Sequence, residues 1–192
     1  MFKPHPYVQS IALPGGARCL VVDNALDEPE RWRALAGKHA GQFTVDRHAG
    51  FPVRRLALPG PVLMAMHVFF SEYLRAALGF RRVVDGQGWL SLATAPPAAP
   101  SRAASGAAGQ GTGLISLCLF DDQDLGGMAF PPSLFPGDEP PPRVESRYNR
   151  LLAFDGACWH APDIPRTARL SGEPTFGRLT LDARFTCRRV LQ

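Results

Sequence analysis

The run Leu179-Thr180-Leu181-Asp182-Ala183-Arg184-Phe185 alternates apolar and polar residues without a break. Successive side chains of a β-strand point to opposite faces, so this period describes a strand with one buried side. A sheet must therefore form around it. One partner strand is predicted just upstream, where Tyr148-Asn149-Arg150-Leu151-Leu152-Ala153-Phe154 ends at an Asp155-Gly156 turn and leads into Cys158-Trp159-His160-Ala161-Pro162. His160 thus closes one strand and Arg178 opens the next. If the two strands are neighbours, an imidazole and a guanidinium face one cavity. Neutral imidazole is a ligand for divalent iron, and guanidinium holds a carboxylate through paired hydrogen bonds. The alternative is that His160 caps a loop and Arg178 pairs with a surface acid.

The rest of the chain is punctuated for turns. Its 19 prolines and 19 glycines among 192 residues favour short strands over long helices. A 45% hydrophobic fraction is enough for a sizeable core, and the length suits a single domain, residues 1–192. The net charge of +4 comes from 21 basic and 17 acidic residues, dispersed apart from Arg81-Arg82 and Arg188-Arg189. No basic run is interleaved with aromatics, so no nucleic-acid surface is indicated, while an acidic small molecule suits the balance. Cys19, Cys118, Cys158 and Cys187 form no CxxC pair and no zinc spacing. The first residues have no apolar signal core, and no apolar run is long enough to span a membrane. The expectation is a cytoplasmic protein with reduced thiols.

In chain order, residues 8–13 read as a weak strand and residues 19–23 as a better one. Asp27-Glu28-Pro29-Glu30 predicts a helix start with an acidic N-cap, running to about His39 with Trp32, Leu35 and Ala36 inward. Residues 43–58 predict loop with a short extended piece, containing His48. Residues 61–78 carry Leu63, Met66, Phe69, Phe70, Tyr73, Leu74 and Ala77 at helical spacing, with Gly79 as the stop. Residues 80–84 and 89–94 predict two strands joined by a turn at Asp85-Gly86-Gln87-Gly88. Residues 95–113 are Pro, Ala, Gly and Ser with little to bury, and predict a flexible loop, either a lid or a surface insertion. Residues 114–120 predict a buried strand, turned by Asp121-Asp122-Gln123-Asp124. Early helices followed by turn-rich short strands give an α+β chain, with residues 1–80 holding N-terminal strands and helices packed on the sheet. Residues 81–192 should form a jelly-roll core.

The order of these features resembles a known family. A strand, an acidic turn, Gly126-Gly127-x-x-Phe130, a strand ending near His160, and Gly177-Arg178-Leu179-Thr180 opening the last strand resemble the prolyl-hydroxylase-like branch of the iron(II)/2-oxoglutarate dioxygenases. More closely, they resemble a bacterial group of uncharacterised proteins with the same double-stranded β-helix. The resemblance covers roughly residues 89–185 and accommodates the strand-to-helix entry at residues 21–26. It implies His160 as the distal iron ligand, Arg178 as the grip on the 2-oxoglutarate carboxylate, and Gly126, Gly127 and Phe130 as structural positions.

The chain departs from the family at the other two iron ligands. The His-x-Asp slots fall near Ser105-Gly106-Ala107, no histidine lies between His67 and His160, and no acid lies between Asp85 and Asp121. One imidazole alone holds iron(II) weakly. Asp121, Asp122 or His48 would have to be brought to His160 to restore the site. The reading is therefore a dioxygenase-fold protein with a degenerate metal triad that binds a small carboxylate or a protein partner, a homodimer included, without oxidising it. The alternatives are an active iron(II)/2-oxoglutarate oxygenase with a rearranged metal site, and a fold-only relative.

Overall fold

The alternation that dominates the sequence becomes the longest-paired strand of the molecule. In the computed structural model, which describes residues 1–103, 109–134 and 140–190, Leu179, Leu181, Ala183, Phe185 and Cys187 point into the core. Thr180, Asp182 and Arg184 point the other way, as the period requires. In chain order the elements are β1 (Gln9–Ala12), β2 (Arg18–Val22), α1 (Pro29–Lys38), β3 (Thr44–Val45), β4 (Val53–Ala57), α2 (Gly60–Phe69) and β5 (Phe80–Ala93). There follow β6 (Gln110–Cys118), β7 (Gly127–Ala129), β8 (Arg143–Val144), β9 (Leu151–Asp155), β10 (Ala161–Asp163) and β11 (Leu179–Arg189).

The strands form an eight-stranded sheet, ordered β1-β2-β9-β6-β11-β5-β4-β3, and a three-stranded sheet, ordered β10-β7-β8. Every pairing between these strands is antiparallel. The large sheet packs one face against the helices. That core runs from Leu20 and Ala36 through Met66, Phe70 and Leu74 to Leu117, Leu151 and Phe185, so the N-terminal segments and the last strands share it. A second cluster, with Val21, Leu152 and Phe154 on one side and Met128, Phe130 and Val144 on the other, ties the small sheet to the opposite face. Two antiparallel sheets closed over each other in this way make a double-stranded β-helix with helices on its outer side. No helix among the described residues is long and apolar enough to cross a membrane.

Several sequence expectations are corrected here. Residues 80–84 and 89–94 are not two strands. β5 runs straight through Asp85-Gly86-Gln87-Gly88 because β11 pairs with it along this stretch, with Gly86 opposite Phe185. A Cβ on Gly86 would lie 2.7 Å from the Phe185 ring, so this glycine serves packing rather than a turn. Gly113, opposite Phe185 on β6, makes the same room for Phe70, whose ring stacks on Phe185 with centroids 4.7 Å apart. Residues 110–113 accordingly belong to β6 rather than to the preceding loop. α1 starts at Pro29 without a side-chain cap, since Glu28 pairs with Arg31 instead, and Leu35 is exposed. α2 gives way to a π turn over Phe70–Leu74 and a 3-10 turn over Ala76–Leu78, closed by Gly79 at φ 75°. The wider turn moves the phase of the buried stripe, so Leu78 is buried and Ala77 is not.

Candidate functional site

The inner face of the large sheet is apolar over β2 and β9, where the second cluster packs, but carries polar side chains over β6, β11 and β5. The strand registers place Ser116 on β6, Asp182 on β11 and Trp89 on β5 in one row. The next row holds Cys118, Thr180, Ser91 and, on β4, Arg55. Arg178 precedes β11 and continues its inward-facing series. Ser91, Arg178 and Thr180 are 1%, 4% and 7% exposed, a concentration of buried polar side chains on one surface. Facing them, Met128, His160 and Pro162 of the small sheet and its approach, with residues 48–51 and 101–103 at the mouth, close a cavity of about 340 Å³. That size suits a small-molecule pocket.

Arg178 is fixed by the small sheet. Its Nε donates to the Leu125 carbonyl at 3.0 Å and its Nη2 to the Gly127 carbonyl at 2.8 Å, while the guanidinium lies over the Phe120 ring at 5.1 Å. These carbonyls come within reach because Gly126 and Gly127 let three segments converge. Gly126 has φ 73°, and a Cβ there would run into the Asp163 carbonyl, while one on Gly127 would run into the Val144 carbonyl. Burial pushes the Arg178 pKa down, opposed by the charges of Cys118, Asp182 and Asp163. No carboxylate among the described residues lies at ion-pair distance from it. No buried side-chain nitrogen or oxygen among the described residues lacks a partner, so Nη1, which makes no hydrogen bond, keeps some accessible surface; Arg178 lines both this cavity and a smaller pocket beside it.

His160 is brought to the same cavity. Its Nδ1 donates to the Cys158 carbonyl at 2.9 Å, and its ring meets Phe154 edge-on at 4.9 Å. A carbonyl only accepts, so Nδ1 carries the proton and Nε2 keeps its lone pair free. Burial pushes the imidazole pKa below its ordinary value, outweighing the opposite pull of the Cys158 carbonyl. The backbone of His160 is clamped by Ser101 through hydrogen bonds of 2.8 and 2.9 Å, and Ala103 bonds to Gly156 at 2.6 Å. Residues 101–103 therefore lie along the histidine-bearing segment.

The remaining sequence candidates divide. His48 lines the mouth, its backbone N–H donating to Asp46 at 2.9 Å. Asp121 is ion-paired with Arg33 at 2.9 Å, and Asp122 caps the turn at Asp124, so neither reaches the cavity. The slots near Ser105-Gly106-Ala107 lie outside the described residues. Among the described residues no group of three or more His, Cys, Asp or Glu side chains is placed to hold a metal ion.

Sequence reasoning passed over Asp182, Ser116, Arg55 and Trp89. Asp182 Oδ1 accepts from Ser116 Oγ at 2.7 Å and Oδ2 from Thr180 Oγ1 at 2.9 Å. Arg55 stacks on Trp89 at 4.5 Å and donates to Asp46 at 2.5 Å and to Ser91 Oγ at 3.3 Å. For Thr180 and Asp182 a signal existed, because the period of two puts them on the face of Arg178. For Arg55 and Trp89 none did, since only the register of β4 on β5 brings them in.

Comparison with known proteins agrees with this architecture. The model of a family of unknown function, DUF6445, matches residues 4–141 and 139–185. No curated protein matches the sequence. Among solved structures, a Pseudomonas putida prolyl-4-hydroxylase superposes with a TM-score of 0.54 at 16% identity, covering 90% of this chain and 93% of its own. The non-heme alpha ketoglutarate dependent epimerase SnoN from nogalamycin biosynthesis gives 0.56 at 17% identity, with coverages of 90% and 80%. HygX from Streptomyces hygroscopicus, with nickel, 2-oxoglutarate and hygromycin B bound, gives 0.52 at 15% identity, with coverages of 87% and 81%. At such identities the likeness establishes the fold alone, a double-stranded β-helix of the kind these proteins share.

Proposed function

We propose, from the premise that the chain belongs to the DUF6445 family and has the dioxygenase double-stranded β-helix, that it binds a small carboxylate without oxidising it. One observation carries this reading. The Arg178 guanidinium is 4% exposed, lines the cavity and has no acidic partner among the described residues. A buried charge without a counter-ion is unfavourable, and a ligand carboxylate on the free Nη edge supplies one. The aromatic face of Phe120 and the two carbonyl anchors hold the group in place before any ligand arrives.

The donor set supports the non-oxidising half of the reading. Ser101, Arg102 and Ala103 line the cavity beside His160, and none of them is an imidazole or a carboxylate. The whole chain, residues 1–192, works on this proposal as one domain, with the apolar core on one side of the large sheet and the ligand on the other.

The test is calorimetric titration of the metal-free protein with a set of small carboxylates, valerate and 2-oxoglutarate among them. Binding that is lost in Arg178→Ala supports the reading; no binding by any small carboxylate refutes it.

A second reading rests on His160. A metal-ligating histidine commonly donates its other ring nitrogen to a carbonyl or carboxylate, as Nδ1 does here to Cys158. Under it, His160 is one ligand of a rearranged iron site in an active oxygenase. Anaerobic addition of iron(II) and 2-oxoglutarate separates the two. A visible charge-transfer band that disappears in His160→Ala favours the oxygenase, and no band favours the binding protein.

A further inference from the structure

Of the charged side chains that line the cavity, Arg55, Arg102, Arg178, Asp182 and Arg184, the oppositely charged Arg178 and Asp182 form no ion pair with each other. Arg178 and Asp182 lie on the same inward face, four residues apart on extended backbone, which separates their Cα atoms by roughly 13 Å at the usual strand rise. Both line the same cavity. Asp182 has its two oxygens occupied by the hydroxyls of Ser116 and Thr180, and no cation among the described residues lies at ion-pair distance from it. The Thr180 hydroxyl, seated between the two charged residues, draws the carboxylate toward the Arg178 end. A carboxylate with two donors still has lone pairs to offer.

We infer that the cavity selects a zwitterion, a linear amino carboxylate whose carboxylate meets Arg178 and whose ammonium meets Asp182. This rests on the carboxylate role of Arg178 proposed above. A dicarboxylate that reaches from Arg178 to Asp182 meets a like charge there, and a second carboxylate is served only if it turns to Arg55, Arg102 or Arg184 instead. A plain amine satisfies Asp182 and leaves Arg178 without a counter-ion. Only a molecule with both ends complements both groups, and a chain of several methylenes spans the gap within about 340 Å³.

The experiment varies the ligand before the protein. The full chain is titrated with γ-aminobutyrate, δ-aminovalerate, ε-aminocaproate, valerate, glutarate and pentylamine. The expected result is that one amino carboxylate binds at least about tenfold tighter than valerate and glutarate. In Asp182→Asn the ratio of amino carboxylate affinity to valerate affinity falls towards one. Valerate or glutarate binding as tightly as every amino carboxylate overturns the zwitterion and leaves the Arg178 reading standing. No binding by valerate, glutarate or any amino carboxylate overturns both. Because the ligand series on the unaltered protein decides the matter, it does not depend on Asp182→Asn folding.

Discussion

Gly126→Ala strikes the point on which the site's geometry rests. The added methyl breaks two conditions at once. Gly126 sits at φ 73°, where an L side chain costs about 1–2 kcal/mol. Its Cβ also runs into the Asp163 carbonyl, which belongs to backbone and cannot rotate away. β10 must then move off β7, where Asp163 faces Gly127 and Pro162 faces Met128. Giving up about two ladder hydrogen bonds adds roughly 2 kcal/mol. The total is about 3–4 kcal/mol, or a fall in Tm of roughly 6–16 °C for a chain of this size. Urea titration with thermal melts measures it, and Gly172→Ala, with nothing near its Cβ, is the control. A loss below about 1 kcal/mol would refute the claim that the small sheet packs on this glycine. Because the neighbouring Gly127 carbonyl holds Arg178, the variant should also weaken carboxylate binding wherever it still folds.

Other predictions follow from burial. The His160 pKa is lowered on folding, so the unfolded chain takes up a proton first as pH falls. Its contribution is fully present above about pH 6.5 and declines below that, so Tm should drop on acidification from there, and less in His160→Gln. Burial raises the Cys19 pKa to about 12 and those of Cys118 and Cys187 to about 11. These thiols should react with an aromatic disulfide at pH 8 only after denaturant is added; prompt labelling of any of them in the folded protein would contradict the packing.

What could be read in the sequence was whatever a local period encodes. The alternation in β11 gave its buried face residue by residue, and the resemblance gave Gly126 and Gly127 as structural positions, which the structure crowds against Asp163 and Val144. His160 and Arg178, separated in sequence, meet in one cavity because β10 crosses above the large sheet. What escaped depended on partners. Gly86 and Gly88 read as a turn because nothing local reveals that Phe185, Leu58 and Leu63 need their space. Arg55 looked like a loop residue until β4 paired with β5 and laid it on Trp89. The early helix lost its expected cap to an ion pair, Glu28 with Arg31, which spacing alone does not distinguish from capping.

Arg178 does two jobs, and a ligand separates them. As a strut it ties Leu125 and Gly127 to the large sheet, and in that role it gains nothing from solution. An apolar side chain with repacking would serve a barrel as well, because burying charge rarely adds stability. As a grip it leaves a charge waiting for an anion, and the anion then stabilises the folded chain alone. The effect follows mass action: a carboxylate at about a hundred times its dissociation constant should add about 2.7 kcal/mol, or roughly 5–11 °C in Tm. A pure strut predicts no shift at any ligand concentration. Melting the unaltered protein across a concentration series, with methylammonium as a control of opposite charge, therefore decides whether the polar floor exists to hold the sheets or to hold a guest.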